Sequence, residues 1–318
     1  MRIIFMGTPD FAVESLKLLL QNNYNVVGVI TMPDKPAGRG LQFQQSAVKK
    51  FALEKGLNIL QPEKLKDENF LEQLDKLKAD LQIVVAFRML PEAVWKMPRL
   101  GTINLHGSLL PHYRGAAPIN WAIINGERET GVSTFFLQQE IDTGKIIFQE
   151  RTPIAENETA GEIHDKLMNI GAQLVVKTVQ AIETGNYPQL EQSQLIDLNE
   201  AIKPAPKIFK PDCRIDWSKT ADQIHNLIRG LSPYPAAFTD FVSPEGKIFQ
   251  VKIFRSRKEL SAHNFSTAGI ITDSKDYVKI AVKNGYIFIQ ELQIAGKKRM
   301  AVNEFLRGFQ IKEGWTVA

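Results

Sequence analysis

Cysteine is nearly absent from this chain: Cys213 stands alone in 318 residues. A lone cysteine closes no internal disulfide, so a stapled secreted scaffold is excluded and a reducing compartment is expected. Histidine is scarce as well, with five residues, and no Cys/His cluster has the spacing of metal ligands. No metal is expected. Long apolar runs are missing too. The stretch Met1-Arg2-Ile3-Ile4-Phe5-Met6-Gly7 is shorter than a signal-peptide core, and no later run reaches the roughly 18 apolar residues of a membrane span. The expectation is therefore a soluble, cytoplasmic protein that meets no membrane. Gly7-Thr8-Pro9-Asp10 follows an apolar run as a phosphate loop would, but it fits neither G-x-G-x-x-G nor G-x-x-x-x-G-K-[ST]. A tight strand-to-helix turn explains it. Internal repeats and low-complexity segments are also lacking.

What is present is ordinary globular material, 44% hydrophobic and 23% charged, enough at roughly 100–200 residues per domain for two domains. The net charge of +4 hides a division: residues 1–202 carry −4 and residues 203–318 carry +8. A basic module joined to a mildly acidic one fits contact with a nucleic acid, and it equally fits a basic surface that only keeps the protein dissolved.

The first half alternates short β-rich runs with amphipathic ones. Strands are expected at Arg2–Met6, Val26–Thr31, Asn58–Leu60 and Leu81–Ala86, with helices opening at Asp10 and spanning Ala47–Lys55 and Glu68–Leu77. Strand, helix, strand in repetition predicts an α/β fold with a doubly wound, mostly parallel sheet. A helix over Ala160–Thr184 closes a first domain expected at 1–188. Proline density then marks a linker at 189–208. In 209–318 a helix at Thr220–Arg229 precedes five β-rich runs: Ala237–Val242, Ile248–Phe254, Ala268–Thr272, Val278–Val282 and Tyr286–Leu292. Turn signals such as Asn284-Gly285 separate them, so a small OB-like barrel is expected, basic and suited to RNA.

The most informative stretch is Gly101-Thr102-Ile103-Asn104-Leu105-His106-Gly107-Ser108-Leu109-Leu110-Pro111. Apolar Ile103 and Leu105 alternate with Asn104 and His106, so on a strand the carboxamide and the imidazole project from one face. That pair suits acyl chemistry: an amide N–H donates to a developing oxyanion while an imidazole exchanges a proton. A cap on the strand end is the plainer reading of the same two residues. Asp142, in Gln139-Glu140-Ile141-Asp142-Thr143-Gly144 between expected strands Gly131–Leu137 and Lys145–Phe148, lies in a loop able to reach and orient His106. It also reads as an ordinary turn aspartate.

Asn104-x-His106-x-Ser108-Leu109-Leu110-Pro111, followed by Arg114-Gly115-Ala116-Ala117-Pro118 and Asp142-Thr143-Gly144, resembles the folate-dependent formyltransferases. The resemblance runs nearly end to end, through Phe5–Phe11, Pro33–Gly40, Met97–Gly101, Arg214–Trp217, Ile228–Ala237 and Ala295–Lys298. Within the family it is similar to the members that act on charged tRNA. It implies transfer of a formyl group from 10-formyltetrahydrofolate, as co-substrate, to the α-amino group of methionine on initiator methionyl-tRNA, at the start of protein synthesis. A formyltransferase acting on a sugar-nucleotide amine is the alternative, and the Pro33–Gly40 loop is unlike that branch.

The resemblance carries catalytic positions onto Asn104, His106 and Asp142. It carries folate contacts onto Ser108, Leu109, Leu110 and Pro111 and onto the loop Phe87, Arg88, Met89 and Leu90, largely through backbone groups. That loop reads Ala86-Phe87-Arg88-Met89-Leu90-Pro91, one residue shorter than the family's commoner Ala-Tyr-Gly-x-Ile-Leu-Pro, and Arg88 in it meets either the folate's glutamate tail or solvent. The tRNA side is expected at the inserted loop Met32–Gln45 with Lys35 and Arg39, at Lys49 and Lys50, and in the barrel at Lys297 and Lys298 beside Arg255, Arg257, Lys258 and Arg299. A solvated charged surface is the plain alternative for each. No surface periodicity demands a second copy, and a monomer is expected.

Overall fold

A computed structural model describes residues 1–37, 42–196 and 201–318 of the chain. The first elements are β1 (Arg2–Gly7), α1 (Asp10–Gln21), β2 (Asn25–Ile30), β3 (Lys35–Ala37), β4 (Gln42–Gln44), α2 (Ala47–Glu54), β5 (Ile59–Leu60), α3 (Glu68–Lys76), β6 (Leu81–Val85), α4 (Glu92–Trp95) and β7 (Thr102–His106). Next come β8 (Arg114–Gly115), α5 (Pro118–Ile124), β9 (Glu129–Phe136), β10 (Ile146–Pro153), α6 (Ala160–Thr184) and β11 (Pro204–Ala205). The last are α7 (Ala221–Gly230), β12 (Ala237–Val242), β13 (Ile248–Leu260), β14 (Ile270–Thr272), β15 (Val278–Val282), β16 (Gly285–Ile294), β17 (Met300–Ala301), α8 (Val302–Gly308) and β18 (Thr316–Val317). The chain divides into two compact units, one of residues 1–118, 130–152 and 164–204, the other of 119–129, 153–163 and 205–318.

The first unit holds a seven-stranded sheet in the order β10-β9-β7-β6-β1-β2-β5. From β7 through β6, β1 and β2 to β5 the strands pair in parallel, and β9 runs antiparallel to β7. β6 is buried along its whole length, as a strand covered on both faces should be. Ile4, Met6, Ile30 and Val84 pack with Phe70 and Leu74 of α3 and Val94 of α4. α1 lies against β1, β2 and β6 and buries Phe11, Ala12, Leu16 and Leu19. The turn between β1 and α1 needs glycine: a Cβ on Gly7 would sit 2.6 Å from the Ala12 Cβ and 3.0 Å from the Val85 carbonyl oxygen. His106 is the last residue of β7, at the carboxyl end of the parallel strands, where open α/β sheets collect ligands.

The second unit is a nearly closed antiparallel sheet in the order β14-β15-β16-β13-β12-β18, with β17 added on β16. A bridge between Gly269 and Thr316 brings the two ends together. Ile224 and Ile228 of α7 fill its core with Phe241, Val251, Ile253, Ile280, Ile287 and Leu292. The doubly wound sheet and the barrel-like sheet agree with the expectations above. β13, however, runs on to Leu260 instead of ending at Phe254. Its extension is charged because Arg257 lies over the ring of Phe288 on β16, 4.0 Å from its centroid, while Ser256 turns inward to His225 at 2.9 Å. Alternation is present there but is written in Arg and Ser, so it reads as a charge run. The Met32–Gln45 excursion, expected as a loop, contains the antiparallel pair β3–β4.

Candidate active site

β7 builds the centre of the site. Its Ile103 and Leu105 are buried, and the pleat turns Asn104 and His106 the other way. The Asn104 carboxamide has no hydrogen-bond partner among the described residues and is only part-buried. His106 is buried, with Nε2 2.8 Å from the carbonyl oxygen of Tyr113. A carbonyl only accepts, so the hydrogen sits on Nε2, and Nδ1 is left facing Asp142, whose Oδ2 is 3.8 Å away. The three chemistry-bearing residues expected from sequence thus stand together: Asn104 and His106 as strand neighbours, and Asp142 across from the imidazole.

Three non-glycine residues around this centre adopt the left-handed backbone region: Ala86 at φ 46°, Tyr113 at φ 61° and Asp142 at φ 55°. Aspartate tolerates that region; tyrosine and alanine adopt it at a cost, held there by their surroundings. Tyr113 in this conformation supplies the carbonyl that fixes His106. Asp142 supplies Oδ2 both to the imidazole side and to the backbone N–H of Gly115, at 3.0 Å. The following Gly144 presses against β9 so closely that a Cβ there would lie 1.7 Å from the carbonyl oxygen of Phe136.

Ser108 to Pro111 are held from behind. The Ser133 hydroxyl donates to the Ser108 carbonyl at 2.7 Å and accepts from the Leu110 N–H at 3.1 Å and from Gln149 Nε2 at 2.8 Å. Gln149 Nε2 also donates to the Leu110 carbonyl at 2.8 Å, and the Ser108 hydroxyl donates to the His112 carbonyl at 2.8 Å. Ser108, Leu110 and Pro111 turn inward, leaving part-buried Leu109. In the loop after β6, Leu90 is buried and Met89 is 76% exposed. Arg88 is part-buried. Its Nη1 donates to the Glu63 carbonyl at 2.7 Å and its Nη2 to the Pro62 carbonyl, and burial pulls its guanidinium below the usual arginine range.

Two family models cover the chain: formyl transferase over residues 1–179, and the formyl transferase C-terminal domain over 207–310. The chain belongs to the formyltransferase family. Relatives named methionyl-tRNA formyltransferase include one from Bacteroides thetaiotaomicron, 57% identical over 99% of this chain and 98% of its own length. Another, from Parabacteroides distasonis, is 57% identical over 100% of this chain and 98% of its own. Among solved structures, an N-formyltransferase from Helicobacter canadensis in complex with folinic acid and dTDP-3-aminofucose matches with TM-score 0.66 and 22% identity, over 94% of this chain and 99% of that one. HypX from Aquifex aeolicus in complex with tetrahydrofolic acid matches with TM-score 0.62 and 18% identity, over 99% of this chain and 50% of that one. These two likenesses establish the shared fold.

The basic residues expected on the RNA side of this formyltransferase divide by what they touch. Lys49 is taken by Asp34 at 2.5 Å; that ammonium and the Gln61 amide hold the Asp34 carboxyl below the usual carboxylate range. In the second unit Arg255 pairs with Glu162 at 2.6 Å, Lys258 with Asp222 and Glu156, and Arg299 with Glu291. Lys35, Lys50, Lys297 and Lys298 are exposed and carry no ion pair among the described residues. Arg39 lies outside the described residues. Gln192, Gln149 and Ser133, which brace this formyltransferase's site, carry no signal in the sequence. Each is an ordinary polar residue with polar neighbours in the sequence, and its partners lie 16 to 78 positions away.

Proposed function

We propose that the protein transfers the formyl group of 10-formyltetrahydrofolate to the α-amino group of methionine on initiator methionyl-tRNA, giving formylmethionyl-tRNA. The observation that carries the reading is the unpartnered Asn104 carboxamide beside His106, with Asp142 Oδ2 3.8 Å from the imidazole. The family and the relatives above 50% identity over nearly the whole chain support methionyl-tRNA as the acceptor.

The residues present fit a folate co-substrate. Backbone groups of Phe87, Arg88, Met89 and Leu90 and of Ser108, Leu109, Leu110 and Pro111 would hold it, because the side chains of Leu90, Ser108, Leu110 and Pro111 are buried and their loops are pinned from below. When bound, it supplies a formyl carbonyl on a nitrogen leaving group. Asn104 donates to the carbonyl oxygen as it gains negative charge during addition of the amine. His106 keeps its Nε2 hydrogen on the Tyr113 carbonyl, so proton exchange with the reacting groups falls to Nδ1. Asp142 holds that ring in place and offsets positive charge on it. The amine that forms the new C–N bond loses one proton, and the departing nitrogen gains one.

For the RNA, Lys35, Lys50, Lys297 and Lys298 are, of the cations expected from sequence, those available for phosphate, with Lys49 holding Asp34 ahead of β3 and Arg39 falling between β3 and β4 in the sequence. The test is a formylation assay of the purified chain with 10-formyltetrahydrofolate and either charged initiator tRNA or a sugar-nucleotide amine. Formylmethionyl-tRNA as the sole product supports the reading. Formylation of the sugar nucleotide alone overturns it.

A further inference from the structure

Gln192 lies in the stretch expected from sequence to be a linker, yet it is only 3% exposed and its carboxamide has three sets of partners. Nε2 donates to the Asp142 carbonyl at 2.8 Å and to the Gly144 carbonyl at 2.9 Å. Oε1 accepts from Arg114, through Nε at 3.0 Å and Nη2 at 2.5 Å. One side chain therefore ties both ends of the Asp142-Thr143-Gly144 turn to β8, the strand that follows the Ser108–Pro111 segment. The neighbouring Gly115 completes the ring, its N–H reaching Asp142 Oδ2 at 3.0 Å. The segment carrying Gln192 is itself fastened to the same region. Leu190 and Ile146 exchange backbone hydrogen bonds of 2.9 Å in both directions, and Glu191 pairs with Lys145 at 3.0 Å.

We propose that Gln192 is a positioning residue for the formyl-transfer centre, acting with Arg114 to hold the Asp142 carboxylate opposite His106. This rests on the reading above that Asp142 works through His106. The physical case is the conformation of Asp142. It sits at φ 55°, in the left-handed region that aspartate tolerates, and from that backbone its Oδ2 accepts from the Gly115 N–H at 3.0 Å and stands 3.8 Å from the His106 imidazole. Two charge-assisted donations from Arg114 polarise the carboxamide and strengthen its grip on the two carbonyls. Gln192 is buried, so water does not replace these bonds when they are removed. Released, the turn relaxes and Oδ2 leaves its place opposite Nδ1.

The variants follow from the two ends of the carboxamide. Gln192→Met keeps the volume and loses every bond. Gln192→Glu keeps the acceptor for Arg114 and loses the donors to Asp142 and Gly144. Both are expected to lower kcat by about tenfold or more while KM for folate and for tRNA stays within about twofold, the pattern of a group whose effect falls on the transition state. In an Asp142→Asn background Gln192→Met should add less than about twofold, because the two residues act as one unit. A merely structural glutamine would impair the double variant as much as the single one, and that result overturns the proposal. A second measurement is independent of turnover: hydrogen exchange at the Gly115 amide should speed up by about tenfold in Gln192→Met. Unchanged exchange there overturns the clasp even if the wild-type chain proves to act on a different amine. Lack of wild-type activity on methionyl-tRNA overturns only the substrate reading.

Discussion

At the scale of single residues the site separates into groups that meet substrate and groups that hold them. In the proposed reaction Asn104 is of the first kind, since its amide has no hydrogen-bond partner among the described residues. Replacing it with alanine removes one oxyanion donor, so kcat should fall by about 10²–10³ while tRNA affinity is retained; steady-state kinetics beside a tRNA-binding titration checks this, and near-normal kcat would exclude Asn104 from the chemistry. His106→Ala should fall at least as far, since it removes the Nδ1 to which the proposal gives proton exchange and also the Nε2–H that the Tyr113 carbonyl accepts. The difference in legibility is physical. Asn104 and His106 are found in sequence because a strand's period of two puts a local pattern on one face. Asp142 is found only as a carboxylate in a turn. Gln192 is not found at all, because burial and three distant partners define it, and neither leaves a mark in a single sequence. Arg88 shows the same limit: its charge is plain in the sequence, and its anchoring of the Pro62 and Glu63 carbonyls is not.

Elements add constraints that a residue list does not. α6 starts with a reciprocal cap: the Thr159 hydroxyl accepts from the Glu162 N–H at 3.3 Å, and Glu162 Oε2 accepts from the Thr159 N–H at 2.8 Å. The Thr-x-x-Glu spacing makes that start visible in sequence, and Thr220 with Gln223 does the same for α7. The ends of β13 are not visible in this way, because its last third alternates Arg, Ser and Lys instead of apolar residues. Glu162 further accepts from Arg255 at 2.6 Å. Partial burial disfavours its charge, but Thr159 and Arg255 outweigh that and carry its pKa from the ordinary 4.5 down to about 2. A carboxyl with a depressed folded-state pKa stabilises the fold above the unfolded value and loses that contribution as pH falls toward the folded one. The thermal midpoint of Glu162→Gln should therefore lie below wild type at pH 7, and the gap should close between about pH 4.5 and pH 2. A gap that persists at pH 2 would mean that volume or shape, and not charge, is the source. The turn after β9 gives a second test. Gly144→Ala would place a methyl inside contact distance of the Phe136 carbonyl, so the turn must move. Loss of activity should exceed loss of stability, measured as kcat against thermal midpoint.

For the whole molecule, net charge is a poor guide to where RNA would bind. The +8 of residues 203–318 is read easily from sequence, yet within that part Arg214, Lys219, Arg257 and Arg299 face carboxylates of the same segment. Arg255 and Lys258 are likewise paired, with Glu162 and with Glu156 and Asp222. Their field is largely cancelled at short range, and exposed pairs of this kind contribute little beyond local order. Lys297 and Lys298, like the exposed Lys207, Lys210, Lys283 and Lys312, have no acidic neighbour within ion-pair distance among the described residues, and they are adjacent in the sequence. Binding that rests on phosphate neutralisation weakens with salt in proportion to the contacts made, each contributing about 0.7–0.9 to the slope of log affinity against log salt. Replacing Lys297 and Lys298 together by glutamate should lower tRNA affinity and flatten that slope by about 1–2, as read from titrations across roughly 50–200 mM salt. The same exchange at Arg255 and Lys258 should change the slope by less, because those cations are already neutralised by carboxylates before RNA arrives. If the two pairs of substitutions flatten the slope equally, proximity to carboxylates does not decide which cations reach phosphate, and the distinction between paired and unpaired lysines in this barrel fails.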